Sequence, residues 1–307
     1  MINNTRKLPI GMQDFEDIRR EGYLYVDKTE YIYKLVNSGK PYFLSRPRRF
    51  GKSLFLSTLR AYFEGKKELF KGLKIAKLEE ETLAPWQEYP VFYFDFNKKN
   101  FKEKTAFEEV LEAHLTDWEQ IYGDEFSDKP LEERFQKLIV KAVELTGKNA
   151  VVLVDEYDKA LLEASDVEHI EHNKAVFKGF FSTLKSYDRY LKFVFITGVT
   201  KFSKVSIFSD LNQLNDISLD KDYSGICGIT GFELTEVFKP ELDELAAAQG
   251  LDPSACLAML KKMYDGYHFS ADVEGIYNPF SLLNAFSKKG FGMYWFSTGT
   301  PTFLIEK

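Results

Sequence analysis

The sequence is poor in the features that mark secreted, metal-binding and membrane proteins. It has only two cysteines, Cys227 and Cys256, which lie far apart and lack the Cys-x-x-Cys spacing of a zinc or redox site. Its first residues, "MINNTRKLPIGMQDF", contain no apolar core of a secretion signal. No run of about 18 apolar residues, the length that a membrane span needs, occurs in the chain. These absences predict a cytoplasmic protein without a membrane partner.

The chain also lacks an excess of positive charge. Its 41 Lys and Arg against 47 Asp and Glu give a formal net charge of −6, so no overall positive field would attract nucleic acid. Apolar residues at 44% and charged residues at 29% are ordinary values for a globular protein. Aromatic residues are plentiful, with 28 Phe and 17 Tyr. We expect an aromatic-rich core, the alternative being a partner surface covered by rings.

Buried strands alternate with amphipathic helices up to about residue 230. The apolar runs "PYFLS", "YPVFYFDFN", "NAVVLVDEYD" and "LKFVFITGVT" predict strands of a sheet covered on both faces. Short helices follow, two of which have clear start signals in Asp252 before Pro253 and Asn278 before Pro279. The pattern predicts a three-layer α/β domain with a parallel sheet over residues 1–230, and a small helical lid over residues 231–307.

The stretch "FLSRPRRFGKS", residues 43–53, has the strand, loop and helix order of a phosphate-binding loop, or Walker A motif. Gly51 allows close approach of the backbone, Lys52 can reach the β- and γ-phosphates, and the Ser53 hydroxyl can bind Mg²⁺. The first glycine of G-x-x-x-x-G-K-[ST] is missing, since Arg46 occupies its position. Taken alone, the stretch is explained equally well as a basic surface turn before a helix.

A second motif favours the nucleotide interpretation. "VVLVDEYD" is an apolar strand that ends in acids, the form of a Walker B segment. Asp155 would hold Mg²⁺, and Glu156 would orient or deprotonate the attacking water. The alternative is a strand end with solvated acids, in which Asp158 is only part of a following turn. The next strand ends in Thr197 and Thr200, and the spacing does not decide which of them would sense the γ-phosphate.

With these residues in view, the chain resembles the bacterial AAA-ATPase-like proteins. These are P-loop ATPases of the AAA/STAND kind, whose longer members carry a C-terminal PD-(D/E)XK nuclease-like domain. The resemblance rests on the segments "LPIGMQDFEDIRREGYLYVDKTEYI", "FLSRPRRFGKSLFLSTL", "VVLVDEYDKAL", "FVFITGVTKFSKVSIFSDLNQLNDISLD", "MYDGYHFS", "YNPFSLLNAF" and "YWFSTGTPTFLIEK". In that family arginine usually replaces the first glycine, so the resemblance implies a genuine variant phosphate loop and a P-loop NTPase fold.

Motifs and resemblance together imply a site for ATP with Mg²⁺ as cofactor. Lys52, Asp155 and Glu156 are the expected catalytic residues, and Ser53 and Asp155 the expected Mg²⁺ ligands. The expected nucleotide-binding residues are Asp27, Arg46, Arg48, Arg49, Phe50, Gly51, Lys52, Ser53, Leu54 and Thr200. For the three arginines of the loop, pairing with acids of the helical part is the alternative role.

The expected function is Mg²⁺-dependent ATP hydrolysis that acts as a conformational switch or regulates a nuclease-type effector. The expected partners are ATP or ADP, together with a second copy of the chain or an effector domain. Two alternatives stay open: a nucleotide-sensing module without hydrolysis, and a nucleic-acid-binding protein that uses the Arg-rich loop, which an acidic chain would achieve through oligomerisation. Because the longer relatives continue toward a nuclease-like part, we expect an ATPase-only member or a truncated chain.

Overall fold

The structure is a computed structural model that describes residues 6–82, 86–200, 214–270 and 273–294. The described strands and α-helices, in chain order, are α1 Phe15–Arg20, α2 Thr29–Ser38, β1 Pro41–Ser45, α3 Lys52–Phe63, α4 Lys74–Glu80, β2 Val91–Asp95, α5 Ala106–Tyr122, α6 Leu131–Thr146, β3 Ala150–Asp155, α7 Lys159–Leu162, α8 Val167–Phe181, α9 Thr183–Ser186, β4 Leu191–Gly198, β5 Asn215–Asp216, α10 Gly231–Val237, α11 Lys239–Gln249, α12 Pro253–Tyr264, β6 Asp265–Tyr267, β7 Ile276–Tyr277 and α13 Pro279–Lys288. Short 3₁₀ helices occupy Lys67–Phe70, Phe96–Lys98, Asp188–Tyr190 and Lys221–Tyr223.

The chain divides into two compact units. The sheet unit consists of Ile32–Arg46 and Leu59–Ile217, and the helical unit consists of Met1–Tyr31, Pro47–Thr58 and Ser218–Lys307. The chain therefore changes unit inside α2, after β1, inside α3 and after β5. The boundary predicted from the sequence, at residues 230 and 231, stays a prediction, as does the role of the later residues as a lid.

The sheet unit contains a sheet of five strands in the order β2-β3-β4-β1-β5. Every neighbouring pair of these strands runs parallel. Each apolar run that predicted a strand forms one, and helices connect them. The predicted α/β fold with a parallel sheet is confirmed.

An aromatic-rich core fills the sheet unit. β3 is buried along its whole length, so both faces of the sheet are covered. On one face, side chains of β2, β3 and β4 join those of α5, α6 and α8 in one apolar cluster, in which the Phe94 ring lies 4.8 Å from Trp118 and 5.3 Å from Phe181. On the other face, the rings of Phe63 in α3 and Phe193 in β4 lie 5.1 Å apart. The high aromatic content is thus used in the core, as the composition predicts.

The helical unit has its own apolar core and well-capped helices. Asp252 caps α12 by accepting from backbone N–H groups of its first turn, and Asn278 caps α13 in the same way, which confirms both predicted start signals. α10 begins with a capping box of Thr230 and Glu233. Side chains of α10 to α13 form the apolar cluster of this unit, against which residues of the N-terminal segment pack, namely Leu8, Ile10, Leu24 and Val26.

Candidate functional site

The carboxyl edge of the parallel sheet brings together the ends of three strands that carry predicted site residues. β3 ends at Asp155, β4 at Gly198 and β1 at Ser45, and Ser45 lies opposite Gly198 in the β1–β4 register. In open parallel sheets, ligands bind outside the carboxyl ends of the strands. The chain continues from this edge into the predicted phosphate loop, residues 46–53.

Arg46, which stands where phosphate loops usually have glycine, is buried, with 1% of its surface exposed. Its backbone N–H donates to the Gly198 carbonyl at 3.2 Å, which extends the β1–β4 pairing by one residue. Its Nη1 donates to the Ser45 carbonyl at 3.0 Å. A buried guanidinium needs a hydrogen-bond acceptor, and the Ser45 carbonyl is one. The backbone bond to Gly198 holds the residue after β1 against the end of β4.

The rest of the loop is held by contacts inside the helical unit. The Phe50 carbonyl accepts from the Gly228 N–H at 2.9 Å, and the buried Phe50 ring lies edge-on to Tyr267 with centroids 4.6 Å apart. The Arg49 guanidinium lies over the Phe280 ring, 4.2 Å from its centroid, a cation–π contact. These contacts link the loop to the segment before α10, to β6 and to the start of α13.

Two loop residues adopt left-handed backbone conformations. Arg49 has φ 64° and Gly51 has φ 91°. Only glycine adopts such a φ without strain, which explains why residue 51 is glycine. A Cβ added at Gly51 would have no atom of the described residues within 4 Å, apart from its chain neighbours. The backbone is therefore open at Gly51, as the close approach of a ligand requires. For Arg49 the same geometry is strained.

Helix α3 begins directly after this turn, with Lys52 as its first residue. Lys52 is 3% exposed, and its Nζ donates back to the Pro47 carbonyl at 3.2 Å. The ammonium thus lies inside the curve of the loop, where an anion bound at the helix N-terminus would meet it. Ser53 and Leu54 are half-buried in the first turn of α3, and Arg48 is exposed.

Asp155 lies at the end of β3 and is 1% exposed. Its carboxylate accepts from the Thr197 hydroxyl at 2.7 Å and from Asn97 Nδ2 at 3.4 Å. Glu156 follows with φ 52°, and its N–H donates to Thr197 Oγ1 at 3.3 Å. The Thr197 hydroxyl therefore contacts both residues of the predicted Walker B pair, the carboxylate of Asp155 and the backbone N–H of Glu156.

Thr200 and Asp158 form a further contact that sequence reasoning missed. The Thr200 hydroxyl donates to Asp158 at 2.6 Å, and Asp158 is fully buried. Its neighbour Tyr157 is also buried, which raises the pKa of the phenol far above its usual value, with the Asp158 and Asp216 carboxylates adding to the effect. The repeated acid in "VDEYD" is the sequence signal that could have indicated a second role at this edge.

Asp27 and its neighbours serve the structure of the helical unit. One Asp27 oxygen accepts from both the N–H and the hydroxyl of Thr29, at 2.9 Å and 2.6 Å, where α2 begins. Lys28 Nζ lies 2.6 Å from both carboxylate oxygens of Glu233. Burial lowers the pKa of Lys28, and the Glu233 carboxylate opposes that shift. The assignment of Asp27 to nucleotide binding stays a prediction.

The donor set at these strand ends fits Mg²⁺ better than a metal held by the protein alone. The described part of the chain contains no group of three or more His, Cys, Asp or Glu side chains that could hold an ion. Mg²⁺ usually binds one or two carboxylates, several waters and substrate phosphates. The buried Asp155 carboxylate at the end of β3 is a ligand of this kind. In the same described residues, no helix has the length and apolar character to cross a membrane.

Comparison with known proteins agrees with this geometry. The family described as Predicted AAA-ATPase, AAA-ATPase_like, matches residues 9–208. A protein of Azotobacter chroococcum mcd 1, described as "Uncharacterized protein in vnfD 5'region", is 41% identical over 305 residues. That alignment covers 99% of this chain and 56% of the relative, so the chain spans about half the length of the relative. No solved structure matches the chain.

The parallel sheet, with helices on both faces and a loop running from β1 into α3, defines an α/β protein of P-loop-like fold. Within that class, the chain belongs to the AAA-ATPase-like family, because the family match covers most of its length.

Proposed function

We propose that this chain binds ATP with Mg²⁺ and hydrolyses it, and that the reaction acts as a conformational switch. The observation that carries the proposal is the order of elements at one sheet edge. β1 leads into Gly51 and then into Lys52 and Ser53 at the start of α3, while β3 ends at the same sheet edge at Asp155, which Glu156 follows. Family membership supports nucleotide binding.

The loop would bind the phosphates of the nucleotide. The open backbone at Gly51 and the first N–H groups of α3 offer donors to an anion, which the helix dipole also favours. Lys52 Nζ would exchange its bond to the Pro47 carbonyl for a phosphate oxygen, a stronger charge-assisted bond. Ser53 would offer its hydroxyl to the metal.

The end of β3 would serve the metal and the water. The Thr197 hydroxyl donates to Asp155 Oδ1, and this bond would hold the carboxylate in one orientation if it binds the metal. Glu156, in its left-handed conformation, would orient the attacking water or accept its proton. When bound, Mg²⁺ would offset negative charge on the phosphate oxygens.

Contacts of the loop would transmit nucleotide binding to the later part of the chain. Arg49 and Phe50 contact Phe280, Tyr267 and Gly228, all in the later part of the chain. A phosphate that reshapes the loop would change these contacts. A nuclease-type effector region or a second copy of the chain would be the receiver of the switch.

Non-hydrolysing nucleotide sensing is the second candidate. It would use the same phosphate loop, and it would differ from the ATPase in that Glu156 would activate no water. The nucleic-acid alternative has less support, since Arg46 is buried, Arg49 lies on Phe280 and only Arg48 of the loop arginines is exposed.

The test is phosphate release from Mg·ATP over a range of protein concentrations, beside nucleotide binding by calorimetry. We expect Lys52→Ala to weaken ATP binding about 10- to 100-fold, since it removes a charge-assisted bond. We expect Glu156→Gln to bind ATP normally but to lose about 100-fold or more in turnover. The exposed Lys67→Ala and Glu144→Gln are matched controls and should behave as the wild type.

Turnover that rises with protein concentration in the wild type, and that disappears in Lys52→Ala and Glu156→Gln, would indicate an ATPase completed by self-association. Tight binding that depends on Lys52, without turnover at any concentration, would favour the sensing module. An absence of nucleotide binding in the wild type would overturn the proposal.

A further inference from the structure

The buried carboxylate of Asp158 holds the turn that follows β4. Asp158 Oδ2 accepts from the Thr200 N–H at 2.8 Å, from the Thr200 hydroxyl at 2.6 Å and from the Val199 N–H at 3.1 Å. The residue has no exposed surface. A buried carboxylate that receives several donors stabilises one geometry of the backbone that supplies them.

Tyr157 and Gly198 strengthen the same connection. The Tyr157 N–H donates to the Thr197 carbonyl at 2.9 Å, and its phenol donates to the Thr200 carbonyl at 3.2 Å. A Cβ at Gly198 would lie 2.4 Å from the Tyr157 ring and 2.9 Å from Asp158 Oδ1. The end of β4 therefore fits against residues 157–158 with no room for a side chain.

These bonds join the two predicted Walker B acids to the turn after β4. Thr197 bonds to Asp155 through its hydroxyl and accepts from the Glu156 N–H. Two to three residues further along each segment, Asp158 accepts from Val199 and Thr200. The hydrogen bonds of Asp158 that oppose a displacement of Thr200 thus belong to the same network as the bonds of Thr197 that orient Asp155 and Glu156.

We propose that Asp158 is a positioning residue that couples the turn Val199–Thr200 to Asp155 and Glu156, and so sets the response of the site to the γ-phosphate. The inference rests on the proposed ATPase function. Because the Thr200 hydroxyl proton is held by Asp158, Thr200 acts through its position rather than by donating that proton to a phosphate. Asp158 affects the turnover and the preference of the site for ATP over ADP. The phosphate loop determines the affinity that both nucleotides share.

The test uses Asp158→Asn in the full chain. An amide has one acceptor oxygen, and its NH₂ group would face donors, so the turn loses part of its support at nearly constant volume. We measure the Kd of Mg·ADP and of Mg·ATPγS, and kcat and KM for ATP. We expect the Kd for ADP to stay within about 3-fold of wild type and the ATPγS-to-ADP preference to fall. We expect kcat to fall about 10-fold or more with a small change in KM, as for a misplaced reacting group.

Two further variants separate positioning from a structural role. Thr200→Val removes the hydroxyl donated to Asp158 while keeping the shape, so it should shift the nucleotide preference in the same direction. It also decides the question if Asp158→Asn does not fold. Asp166→Asn alters an exposed carboxylate that caps α8, and it should leave preference and kcat unchanged.

The outcomes are distinct. Loss of affinity for ADP and ATPγS in equal proportion, with a lower melting temperature, would mean a structural role and would overturn the inference. Wild-type preference and kcat in both Asp158→Asn and Thr200→Val would overturn it while leaving the ATPase proposal intact. A wild-type chain that binds neither nucleotide would overturn both.

Discussion

At the scale of single residues, two of the three described non-glycine residues with a left-handed backbone lie in the predicted motifs, and the third, Lys289, follows α13. Arg49 and Glu156 have left-handed φ values of 64° and 52°, each at a cost of about 1–3 kcal/mol. One lies in the loop of the predicted Walker A motif and the other directly after Asp155. No sequence pattern predicts such conformations, because non-glycine residues rarely adopt them. Residue type and spacing, by contrast, do predict a role for each of these residues in a nucleotide site, and those roles stay predictions.

Tyr157 gives a residue-scale prediction for stability at alkaline pH. Burial raises the pKa of its phenol above the ordinary value of 10.0. The folded chain therefore keeps this proton at pH values where the unfolded chain loses it, so the contribution to stability is complete below pH 10.0 and falls as the pH rises above it. We expect the free energy of unfolding of Tyr157→Phe to fall less steeply with pH than that of the wild type.

Urea unfolding from about pH 8 to about pH 11 measures this slope. At the lower end of the range the variant should be less stable, because it lacks the bond to the Thr200 carbonyl. Parallel curves for the two proteins would show that Tyr157 ionises in the folded chain as readily as in the unfolded chain.

At the scale of elements, local signals were predictable and distant pairs were not. The caps Asp252 and Asn278 were readable because a cap, its proline and its helix are adjacent in sequence. The pair of Lys28 and Glu233 is separated by 205 residues, and no local pattern relates them. Asp158 was readable only as part of a turn, since its partners lie 41 and 42 residues away.

The Lys28–Glu233 pair joins the segment before α2 to the start of α10. Its side chains are only 9% and 17% exposed, so removal of one partner leaves a poorly solvated charge. We expect Lys28→Met to lower the free energy of unfolding by about 3 kcal/mol. Glu233→Gln removes the charge but keeps an oxygen for the Thr230 N–H of the capping box.

The double variant Lys28→Met, Glu233→Gln should therefore be more stable than Lys28→Met alone. Urea unfolding of the wild type, both single variants and the double variant gives the coupling energy of the pair. Additive effects of the two substitutions would show that the pair contributes nothing beyond its separate side chains.

At the scale of the whole molecule, the fold class was predictable because buried parallel strands are continuous apolar runs. The strand order was not, since β1 pairs with β4 and β5, which lie far along the chain. β5 has only two residues, Asn215 and Asp216, too few for any periodicity. The composition of the helical unit was also unpredictable, because apolar residues of the N-terminal segment pack with helices near the other end of the sequence.

The net charge of −6 is a property of the whole chain and leads to a prediction about nucleic acid. Arg46 is 1% exposed and the Arg49 guanidinium lies over Phe280, so Arg48 is the loop arginine that could reach a phosphate backbone. One exposed arginine in the loop of an acidic chain releases too few counterions for stable binding. We expect a Kd for random duplex DNA weaker than about 10⁻⁴ M at physiological salt.

Fluorescence anisotropy of labelled duplex over a series of salt concentrations measures this affinity for the wild type, Arg48→Ala and Lys102→Ala. Lys102 is exposed and lies outside the loop, so it controls for the loss of one positive charge. All three proteins should bind equally weakly. Binding that falls steeply with salt and is lost in Arg48→Ala alone would instead make the loop a nucleic-acid contact, in an oligomer that gathers several copies of it, because a single exposed arginine cannot produce a steep salt dependence.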